Sequence, residues 1–296
     1  MTIAYLIATH DAPNQTRRLI EALSSDMARF FIHVDAKASL GAFSAIQGSA
    51  VRFIEKRERV YWGDFSQVQS SLNLIEAALA AQPQCERLVL LSGGDFPLRS
   101  ASYIEQFFAA NAAKEFISSV PIPCAAAGKP LSRITGYRVR RGAPAPVRLL
   151  QKYLLKWGLM PTTRDHRACF GDLAPFGGST WWALSRPACE HIIAFVARNP
   201  AIVRFFHNTF CPDESFFQTI LNNSQLRSQI VRNLTFTDWS AGGGSPAFLS
   251  EKHLELFGTG PFVSSDAAYG SGEMLFARKF RDADAELVAT LQRQRH

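Results

Sequence analysis

The first 120 residues alternate between short apolar runs and helical patterns, and this alternation restricts the chain to few fold classes. Apolar runs that stop at polar or glycine residues predict strands over residues 3–9, 29–34, 51–55, 87–91 and 115–120. Apolar residues at helical spacing predict helices over residues 13–24, 66–81 and 100–110. Strands that alternate with helices predict an α/β fold, in which a mainly parallel sheet carries helices on both faces.

Polar and aromatic residues follow several of these strands and are candidates for a binding site. His10, Asp35 and Asp95 come after apolar runs, and Trp62 lies in the loop after the third predicted strand. Open parallel sheets bind their ligands beyond the carboxyl ends of their strands. The sequence therefore predicts these four residues near one rim of the sheet.

The alternation lapses between residues 121 and 175 and then resumes. The later predicted elements are strands over residues 178–184 and 274–280, and helices over residues 187–198, 213–221 and from residue 282 onward. No internal repeat and no long linker divides the sequence. The prediction is a single domain over residues 1–296, with parts at 1–120, 121–175 and 176–296.

Positive charge is concentrated in the second of these parts. The whole chain has a formal net charge of +7. Residues 129–167 hold ten Lys or Arg and one acid, Asp165, which gives this segment +9 and leaves −2 for the rest. A basic segment on a nearly neutral body indicates a local anionic partner and argues against general nucleic-acid binding.

One helix is predicted inside the basic segment, over residues 147–157. It interleaves Arg148, Lys152 and Lys156 with leucines and Trp157. Two interpretations are open. The helix lies on an anionic membrane surface as a peripheral contact, or it packs on the sheet with its basic side chains solvated. The second interpretation is preferred from the pattern alone.

The sequence lacks the motifs of several common enzyme classes. No GxGxxG follows the first strand, no GxSxG occurs, and Gly128-Lys129 lacks the other residues of a phosphate-binding loop. The five cysteines show no CxxC spacing, which argues against a zinc site or a disulfide framework. With no run of about 18 apolar residues and no secretory signal, a cytoplasmic location is predicted.

The segment Asp282-Ala283-Asp284 matches a DxD pattern that can bind a divalent cation. It also precedes a predicted helix, and carboxylates are common at the first turn of helices. Capping is the preferred interpretation, and no metal site is predicted.

Eight short blocks of the sequence occur together and in order. They are Ala4-Tyr5-Leu6-Ile7 with His10, Phe31-Ile32-His33-Val34-Asp35, Val60-Tyr61-Trp62-Gly63, Leu91-Ser92-Gly93-Gly94-Asp95-Phe96-Pro97, Gly177-Gly178-Ser179, Pro212-Asp213-Glu214, Asp238-Trp239, and Phe276-Ala277-Arg278-Lys279-Phe280. In this order, over residues 4–280, they resemble the core-2/I-branching β-1,6-N-acetylglucosaminyltransferase family, which also contains peptide O-xylosyltransferases.

The resemblance implies a GT-A-like, Rossmann-type fold and a glycosyltransferase that inverts the anomeric carbon without a metal ion or other cofactor. It implies a UDP-sugar donor, expected to be UDP-N-acetylglucosamine, and a saccharide or glycolipid acceptor. On this basis residues 1–120 form a nucleotide-binding half, residues 121–175 a basic insertion, and residues 176–296 an acceptor and catalytic half. The chain is similar to a bacterial, cytoplasmic version that works in polysaccharide or glycan assembly. A peripheral position at the inner membrane belongs to the membrane interpretation of the helix at residues 147–157 and is not implied by the resemblance.

Three residues carry the expected chemistry. The resemblance implies that Glu214 is the general base that takes the proton of the acceptor hydroxyl. The alternative is a helix-capping role, which is assigned to Asp213. Arg278 and Lys279 match the basic pair that binds the donor diphosphate, where their charge replaces a metal ion. Neighbouring strand residues point to opposite faces, so both reach one phosphate group only if the strand ends or bulges there.

The remaining assignments concern the nucleoside and the sugars. Asp35 is expected to accept a hydrogen bond from the uracil ring, although a loop-capping role is an equal alternative. His10 and Arg57 are candidates for contacts with uridine or phosphate. Asp95 is a candidate for the donor sugar hydroxyls, with a turn residue before Pro97 as the alternative.

Aromatic residues and one arginine complete the candidates for sugar binding. Trp239 is expected to stack on an acceptor sugar, with a core position as the alternative. Arg133 lies where relatives bind the acceptor. Trp181 and Trp182 point to opposite faces of a strand, so one is expected in the core and the other beside the acceptor.

Two alternatives to this function are kept. Xylosyltransferases carry an Asp directly after the Gly-Gly-Ser block, where this chain has Thr180, so peptide xylosylation is disfavoured. A transferase of the same fold that uses UDP-xylose or UDP-glucuronic acid is nevertheless one alternative. A catalytically silent binder of carbohydrate or a membrane surface is the other.

Overall fold

The computed structural model describes residues 1–240, 242–258 and 260–294. The strands in these residues are β1 (Thr2–Thr9), β2 (Ala28–Val34), β3 (Val51–Phe53), β4 (Cys85–Ser92), β5 (Asp95–Pro97), β6 (Glu115–Pro121), β7 (Phe176–Ser185), β8 (Ile230–Val231), β9 (Thr235–Thr237), β10 (Val263–Asp266), β11 (Gly270–Glu273) and β12 (Phe276–Arg278). The helices are α1 (Pro13–Leu23), α2 (Ser66–Ala81), α3 (Ala101–Ala110), α4 (Ser132–Thr135), α5 (Ala145–Lys156), α6 (Arg167–Phe170), α7 (Arg186–Arg198), α8 (Pro200–Phe206), α9 (Phe216–Asn222), α10 (Glu251–Phe257) and α11 (Ala285–Gln294).

Seven of the described strands form the main sheet, in the order β3-β2-β1-β4-β7-β6-β8. Strands β3, β2, β1 and β4 are parallel to one another, and β7 runs antiparallel to β4 and β6 on its two sides. The predicted α/β fold with a mainly parallel sheet is confirmed. Because β7 runs the other way, its first residues lie at the edge where the parallel strands end.

The alternation of side chains along β1 explains why helices cover both faces of the sheet. Ala4 and Leu6 point into a core cluster with residues of α2, α7 and α9. Ile3, Tyr5 and Ile7 point into a second cluster with residues of α1 and α3. Each face of the strand is therefore buried under a different set of helices.

A distant carboxylate caps helix α1. Pro13 is at its first turn, and Ala12 at the N-cap has no side-chain oxygen that could accept a hydrogen bond. Oδ1 of Asp282 instead accepts from the backbone N–H of Gln15, at 2.6 Å. The capping interpretation of the DxD segment thus holds for Asp282, but the helix that it caps is α1. Asp284 pairs with the neighbouring Arg281.

A smaller sheet joins three distant parts of the chain at the edge of the main sheet. Strand β12 lies between β5 and β9, so that Arg278 is opposite both Asp95 and Thr237. Beneath it, a third core cluster contains residues of α10 and α11. This sheet positions Arg278 beside the carboxyl ends of the parallel strands.

A buried ion pair lies inside the main sheet. Arg87 and Glu115 are almost fully buried, and their side chains approach to 3.9 Å. Arg87 also donates to backbone carbonyl oxygens, among them those of Lys114 and Ala183. Ser185 donates to Glu115 from its backbone N–H and its hydroxyl. Burial raises the pKa of Glu115, while these donors and Arg87 act against the rise.

The largest differences between the prediction and the structure lie in three regions. The segment 121–175 contains α4 and α6 besides the predicted basic helix, which is α5. The helix predicted over residues 213–221 is divided into a 3-10 turn, Pro212–Glu214, and α9, because Ser215 leaves the helical region with a φ of −146°. The strand predicted over residues 274–280 is shorter, and β12 ends at Arg278.

Candidate active site

A cavity of about 1020 Å³ lies at the carboxyl ends of the parallel strands. Its walls come from β1 and β2, the start of β7, the 3-10 turn, the smaller sheet and the β10–β11 hairpin. The predicted residues that line it are His10, Asp35, Trp62, Arg133, Trp181, Glu214, Trp239, Arg278 and Lys279. Residues from all three parts of the sequence therefore meet in one cavity.

Glu214 reaches the cavity from the 3-10 turn and is held there by two cations. Oε2 of Glu214 lies 2.5 Å from Nζ of Lys129 and 3.4 Å from a terminal nitrogen of Arg133. The side chain keeps about a quarter of its surface exposed. Both contacts fall on the same oxygen, Oε2.

The glycines of β7 allow the 3-10 turn to pack against the sheet. A Cβ atom on Gly178 would overlap the carbonyl oxygen of Ser118 on β6. A Cβ atom on Gly177 would lie 3.3 Å from the carbonyl oxygen of Glu214, which is tighter than ordinary contact. The Gly-Gly-Ser block thus has a packing role: it lets the backbone that carries Glu214 approach the start of β7.

Asp213, next to Glu214, is a mostly buried residue of the cavity wall. Its Oδ2 accepts from the Thr180 hydroxyl at 2.7 Å, whereas its Oδ1 has no hydrogen-bond partner among the described residues. Burial and the nearby charge of Glu214 raise the pKa of Asp213 to about 6. Thr180, which follows the Gly-Gly-Ser block, is therefore a donor to a second acid beside the candidate base.

Arg278 is fixed between an aromatic ring and a buried acid. Its guanidinium carbon lies 4.0 Å from the centroid of the Trp181 ring, and its Nε lies 3.7 Å from Oδ1 of Asp95. Burial lowers the pKa of Arg278, and the charge of Asp95 opposes this effect. These contacts hold the guanidinium in one place at the cavity wall.

Lys279 lines the same cavity as Arg278, although adjacent residues within a strand would point to opposite faces. Strand β12 ends at Arg278, so the rule that neighbours point to opposite faces does not extend to Lys279. Nζ of Lys279 donates to the Ser245 hydroxyl at 3.0 Å and lies 4.4 Å from the Phe248 ring centroid. Burial and the charge of Arg278 lower the pKa of Lys279.

Asp95 does not line the cavity, so its predicted contact with donor sugar hydroxyls is not what the structure shows. The side chain is fully buried. Its oxygens accept from the backbone N–H and the hydroxyl of Ser92 and face Arg278. Burial raises the pKa of Asp95, and Arg278 and Ser92 lower it. Its contact with the site is the charge pair with Arg278, at 3.7 Å.

Arg57 also lies behind the wall, which differs from the predicted contact with uridine or phosphate. It donates to the carbonyl oxygens of Val34, Asp35 and Ala38. These bonds fix the loop after β2 and with it the side chain of Asp35. Oδ1 of Asp35 accepts from the backbone N–H of Lys37 at 2.8 Å, so the loop-capping alternative describes a contact that exists, while Asp35 also lines the cavity.

The aromatic candidates separate into cavity and core positions. Trp182 is buried and packs edge-on against Phe217, so it is the member of the pair that lies in the core and not among the sugar contacts. Trp181 lines the cavity, as one of the two was expected to do. Trp239 and Trp62 are about half exposed at the cavity mouth.

Several cavity residues are not predicted from the sequence. The sequence around Lys129 does not indicate its ion pair, because the partner, Glu214, is 85 positions away. Tyr269 and Arg232 lie on the wall with the β10–β11 hairpin, and Arg232 pairs with Asp266 at 2.8 Å. Burial and the charges of Glu214 and Asp266 raise the pKa of Tyr269 to about 12. In both ion pairs, Lys129 with Glu214 and Arg232 with Asp266, the two partners are far apart in the sequence, so the sequence alone does not indicate them.

His10 and His33 occupy different environments at the cavity. His10 is exposed and approaches Asp11 at 3.5 Å. Nε2 of His33 accepts from the backbone N–H of Glu58, and burial lowers the pKa of His33 to about 4. Within residues 1–240, 242–258 and 260–294, no group of three or more His, Cys, Asp or Glu side chains is placed to hold a metal ion.

A basic pair and a carboxylate in one cavity at the rim of a mainly parallel sheet are what an enzyme needs to transfer a group from an activated phosphate compound. The model of the Core-2/I-Branching enzyme family matches residues 3–257, and the chain belongs to this family. The resemblance predicted from the sequence blocks is confirmed.

Similar proteins are glycosyltransferases of two kinds. Xylosyltransferase oxt of Drosophila pseudoobscura pseudoobscura is 27% identical over 94% of this chain, and the match covers 31% of the Drosophila protein. The chain thus spans about a third of the length of this relative. The N-acetyllactosaminide β-1,6-N-acetylglucosaminyl-transferase of Mus musculus is 24% identical over 94% of this chain and 68% of its own length.

A solved structure of mouse xyloside xylosyltransferase 1, in its apo form, is 11% identical. Its match covers 93% of this chain and 97% of the mouse chain, with a TM-score of 0.37.

Proposed function

We propose that this chain is a glycosyltransferase that moves a sugar from a UDP-sugar to a saccharide hydroxyl, with inversion and without a metal ion. The observation that carries the proposal is the cavity that contains both Glu214 and the pair Arg278 and Lys279. An inverting transfer needs a base for the acceptor and positive charge for the leaving diphosphate. Both requirements are supported by residues in this cavity.

Glu214 is the proposed base. The contacts with Lys129 and Arg133 fix Oε2. Oε1 then accepts the proton of the acceptor hydroxyl while the hydroxyl oxygen attacks the anomeric carbon. The new C–O bond forms as the bond from that carbon to the diphosphate oxygen breaks, so the configuration inverts.

Arg278 and Lys279 are the proposed partners of the diphosphate. Negative charge grows on the leaving oxygen during the reaction, and both side chains are cations in a partly buried site. The guanidinium donates two parallel hydrogen bonds, and the ammonium adds a compact charge. Preorganised charge of this kind stabilises a transition state because it needs no rearrangement.

The nucleoside and the sugars are assigned to the rest of the wall. Asp35 accepts from the uracil N–H, and His10 lies beside it at the rim. Trp239 stacks on the acceptor sugar, and the loop that carries it is supported by a hydrogen bond between Asp238 and His253. We keep the division into a nucleotide-binding half at 1–120 and a catalytic half at 176–296 as part of the proposal.

The proposed donor is UDP-N-acetylglucosamine, and the proposed setting is bacterial polysaccharide assembly in the cytoplasm. Thr180 supports this donor, because it stands where xylosyltransferases carry an aspartate. UDP-xylose is the second candidate, supported by the name of the Drosophila relative. A transfer assay with both of these donors and with UDP-glucuronic acid distinguishes the candidates, because only the true donor is consumed.

Titration with UDP in the presence of EDTA tests the diphosphate site. We expect the wild type to bind UDP, and Arg278→Ala/Lys279→Ala to lose at least about 100-fold in affinity, because two charged hydrogen-bond donors are removed. The control is Arg52→Ala/Lys56→Ala, which removes the same charge from an exposed surface outside the cavity. Binding that requires Mn²⁺ or Mg²⁺ would contradict the metal-free mechanism.

Glu214→Gln tests the base. We expect kcat to fall by about 10²- to 10⁴-fold with unchanged UDP affinity, because the glutamine cannot take the acceptor proton. Glu255→Gln, on an exposed surface of α10, is the control. A silent binder would show no transfer in the wild type and no change in either variant.

A further inference from the structure

Helix α5 has no buried residue. Its apolar side chains are exposed to an extent that is unusual for a folded chain: Leu149 is 55%, Leu150 59%, Tyr153 50% and Trp157, at its C-cap, 71% exposed. This overturns the preferred sequence interpretation, in which the helix packs on the sheet with only its basic side chains in solvent. A contiguous exposed apolar surface of this kind marks an interaction site.

The exposed side chains form two parallel strips along α5. Leu149, Tyr153 and Trp157 recur every four residues and therefore share one face. Arg148, Lys152 and Lys156 recur at the same spacing, one residue earlier, and form a basic strip beside the apolar one.

Gln151, Leu154 and Leu155 are partly buried and mark the side of α5 that faces the protein. The apolar strip thus points away from the body of the protein, with positive charge along its flank. Helices that lie in the plane of a membrane surface have this arrangement.

The charge of the surrounding segment determines which surface fits. No acidic residue occurs between Lys129 and Asp165, and residues 129–167 have a net charge of +9. Tyr153 and Trp157 have an apolar ring with a polar atom, the combination that is enriched at the boundary between lipid and water. An apolar protein partner would account for the leucines, but an anionic lipid surface accounts for the leucines, the aromatic rings and the basic strip together.

The two ends of the segment that carries α5 are attached to the wall of the cavity. The backbone N–H of Tyr137 donates to the carbonyl oxygen of Thr162, and that of Arg164 donates to the carbonyl oxygen of Thr135. The chain thus leaves and returns at α4, whose Arg133 contacts Glu214.

A second attachment is made by Arg141, which lies in the sequence between Tyr137 and α5. The Arg141 guanidinium carbon is 5.4 Å from the ring centroid of Trp62, at the cavity mouth, and the backbone N–H of Arg141 donates to Asp64. The segment that carries α5 is therefore joined to the cavity at Trp62 as well as at α4.

We propose that α5 lies in the surface of an anionic membrane and brings the cavity to an acceptor saccharide carried on a lipid. Leu149, Leu150, Tyr153 and Trp157 enter the boundary between headgroups and acyl chains, and the basic strip contacts anionic headgroups. The membrane contact stands on the geometry of α5, whereas the lipid-linked acceptor rests on the proposed glycosyltransferase function.

Co-sedimentation with vesicles tests the membrane contact. We expect binding to vesicles of phosphatidylcholine with phosphatidylglycerol, and much weaker binding to phosphatidylcholine alone. Arg148→Gln/Lys152→Gln/Lys156→Gln should weaken the binding about 100-fold, because each basic residue near an anionic surface contributes about fivefold. Leu150→Ser/Trp157→Ser should also weaken it, since the helix and its C-cap lose the two most exposed of the four apolar side chains Leu149, Leu150, Tyr153 and Trp157.

A triple variant at exposed positions elsewhere, Arg17→Gln/Arg52→Gln/Lys56→Gln, is the matched control and should bind as the wild type does. Equal binding to neutral and anionic vesicles, or unchanged binding of the α5 variants, would overturn the proposal. Sedimentation velocity tests whether a second copy of the chain covers the helix instead. That outcome would be an oligomer in the wild type that is absent in Leu150→Ser/Trp157→Ser, together with no vesicle binding.

Two further readouts separate this proposal from the proposed function. UDP binding should be the same in the α5 variants and the wild type, and vesicle binding should persist in Glu214→Gln. Transfer to an acceptor anchored in anionic vesicles should be faster than transfer to the same soluble saccharide in the wild type but not in the α5 variants. Vesicle binding without that advantage would overturn the lipid-linked acceptor and leave the membrane contact standing.

Discussion

The Arg278 guanidinium carbon lies 4.0 Å from the centroid of the Trp181 ring, so that the cation is held against an aromatic face. Asp95 contacts the same guanidinium from the buried side. The contact with Asp95 is made by Nε, and the ring and the acid together restrict the rotation of the side chain. Trp181 is thus a positioning residue for Arg278 in the proposed mechanism.

Trp181→Leu should weaken UDP binding by about 2- to 30-fold, because a cation–π contact contributes about 0.5–2 kcal/mol. Calorimetric titration with UDP measures this effect. Trp157→Leu removes an exposed tryptophan far from Arg278 in the sequence and should leave UDP affinity unchanged. Wild-type affinity in a folded Trp181→Leu variant would show that the ring does not position the guanidinium.

Asp213→Asn should change how stability depends on pH. Because the pKa of Asp213 is raised from 3.8 to about 6, its neutral form contributes stability that is full below about pH 4 and is lost as the pH rises through about 6. An asparagine is neutral throughout. Between pH 4 and pH 8, the free energy of unfolding of the wild type should therefore fall by about 3 kcal/mol relative to that of Asp213→Asn.

Urea denaturation over this pH range measures the difference. Asp172→Asn, at an exposed position, is the control and should give a curve parallel to that of the wild type. A parallel curve for Asp213→Asn would contradict the raised pKa, whatever the constant offset between the two proteins.

Arg87→Met should lower the free energy of unfolding by about 3–5 kcal/mol, because it leaves Glu115 buried without its cation and several carbonyl oxygens without a donor. Arg17→Met breaks the exposed pair with Glu21 and should cost no more than about 0.5 kcal/mol. Chemical denaturation compares the two. Equal losses would indicate that the Arg87 pair contributes nothing beyond an exposed one.

Asp282→Ala should lower the free energy of unfolding by about 1 kcal/mol, since the start of α1 loses the carboxylate that accepts from Gln15. Asp282→Asn should retain most of that stability because an amide oxygen also accepts. Asp26→Ala, at an exposed position, serves as the reference and should change stability by less than about 0.5 kcal/mol. A loss of equal size in Asp282→Asn and Asp282→Ala would argue for charge rather than capping.

Elements that depend on their own residues can be predicted from the sequence. Helix α2 is predicted over residues 66–81 and found there, because its apolar spacing alone defines both its extent and its buried side. The place of β7 between β4 and β6 cannot be predicted in this way. A strand pattern specifies which side chains are buried but not which strand pairs with it.

The site shows the same division. Glu214, Arg278 and Lys279 reach the cavity because the turn or strand that carries each of them ends at the rim. Arg57 and Asp95 also lie near strand ends, yet both side chains turn inward, one to backbone carbonyl oxygens and the other to Ser92 and Arg278. That choice depends on loop conformation, which the spacing of residues does not encode.

The contact between Lys129 and Glu214 joins residues 85 positions apart. Neither residue has a neighbour in the sequence that indicates the other. Such pairs become visible only when the loop from β6 to α4 and the turn before α9 are placed in space.

The two backbone hydrogen bonds at the neck of the α5 segment, between Tyr137 and Thr162 and between Arg164 and Thr135, make this segment an exchangeable module. Its two ends are already side by side, so a short turn could replace everything between them without altering the main sheet. Relatives could therefore acquire, lose or lengthen this module while keeping the same donor chemistry. The surface at which such an enzyme works and the reaction that it performs would then evolve independently.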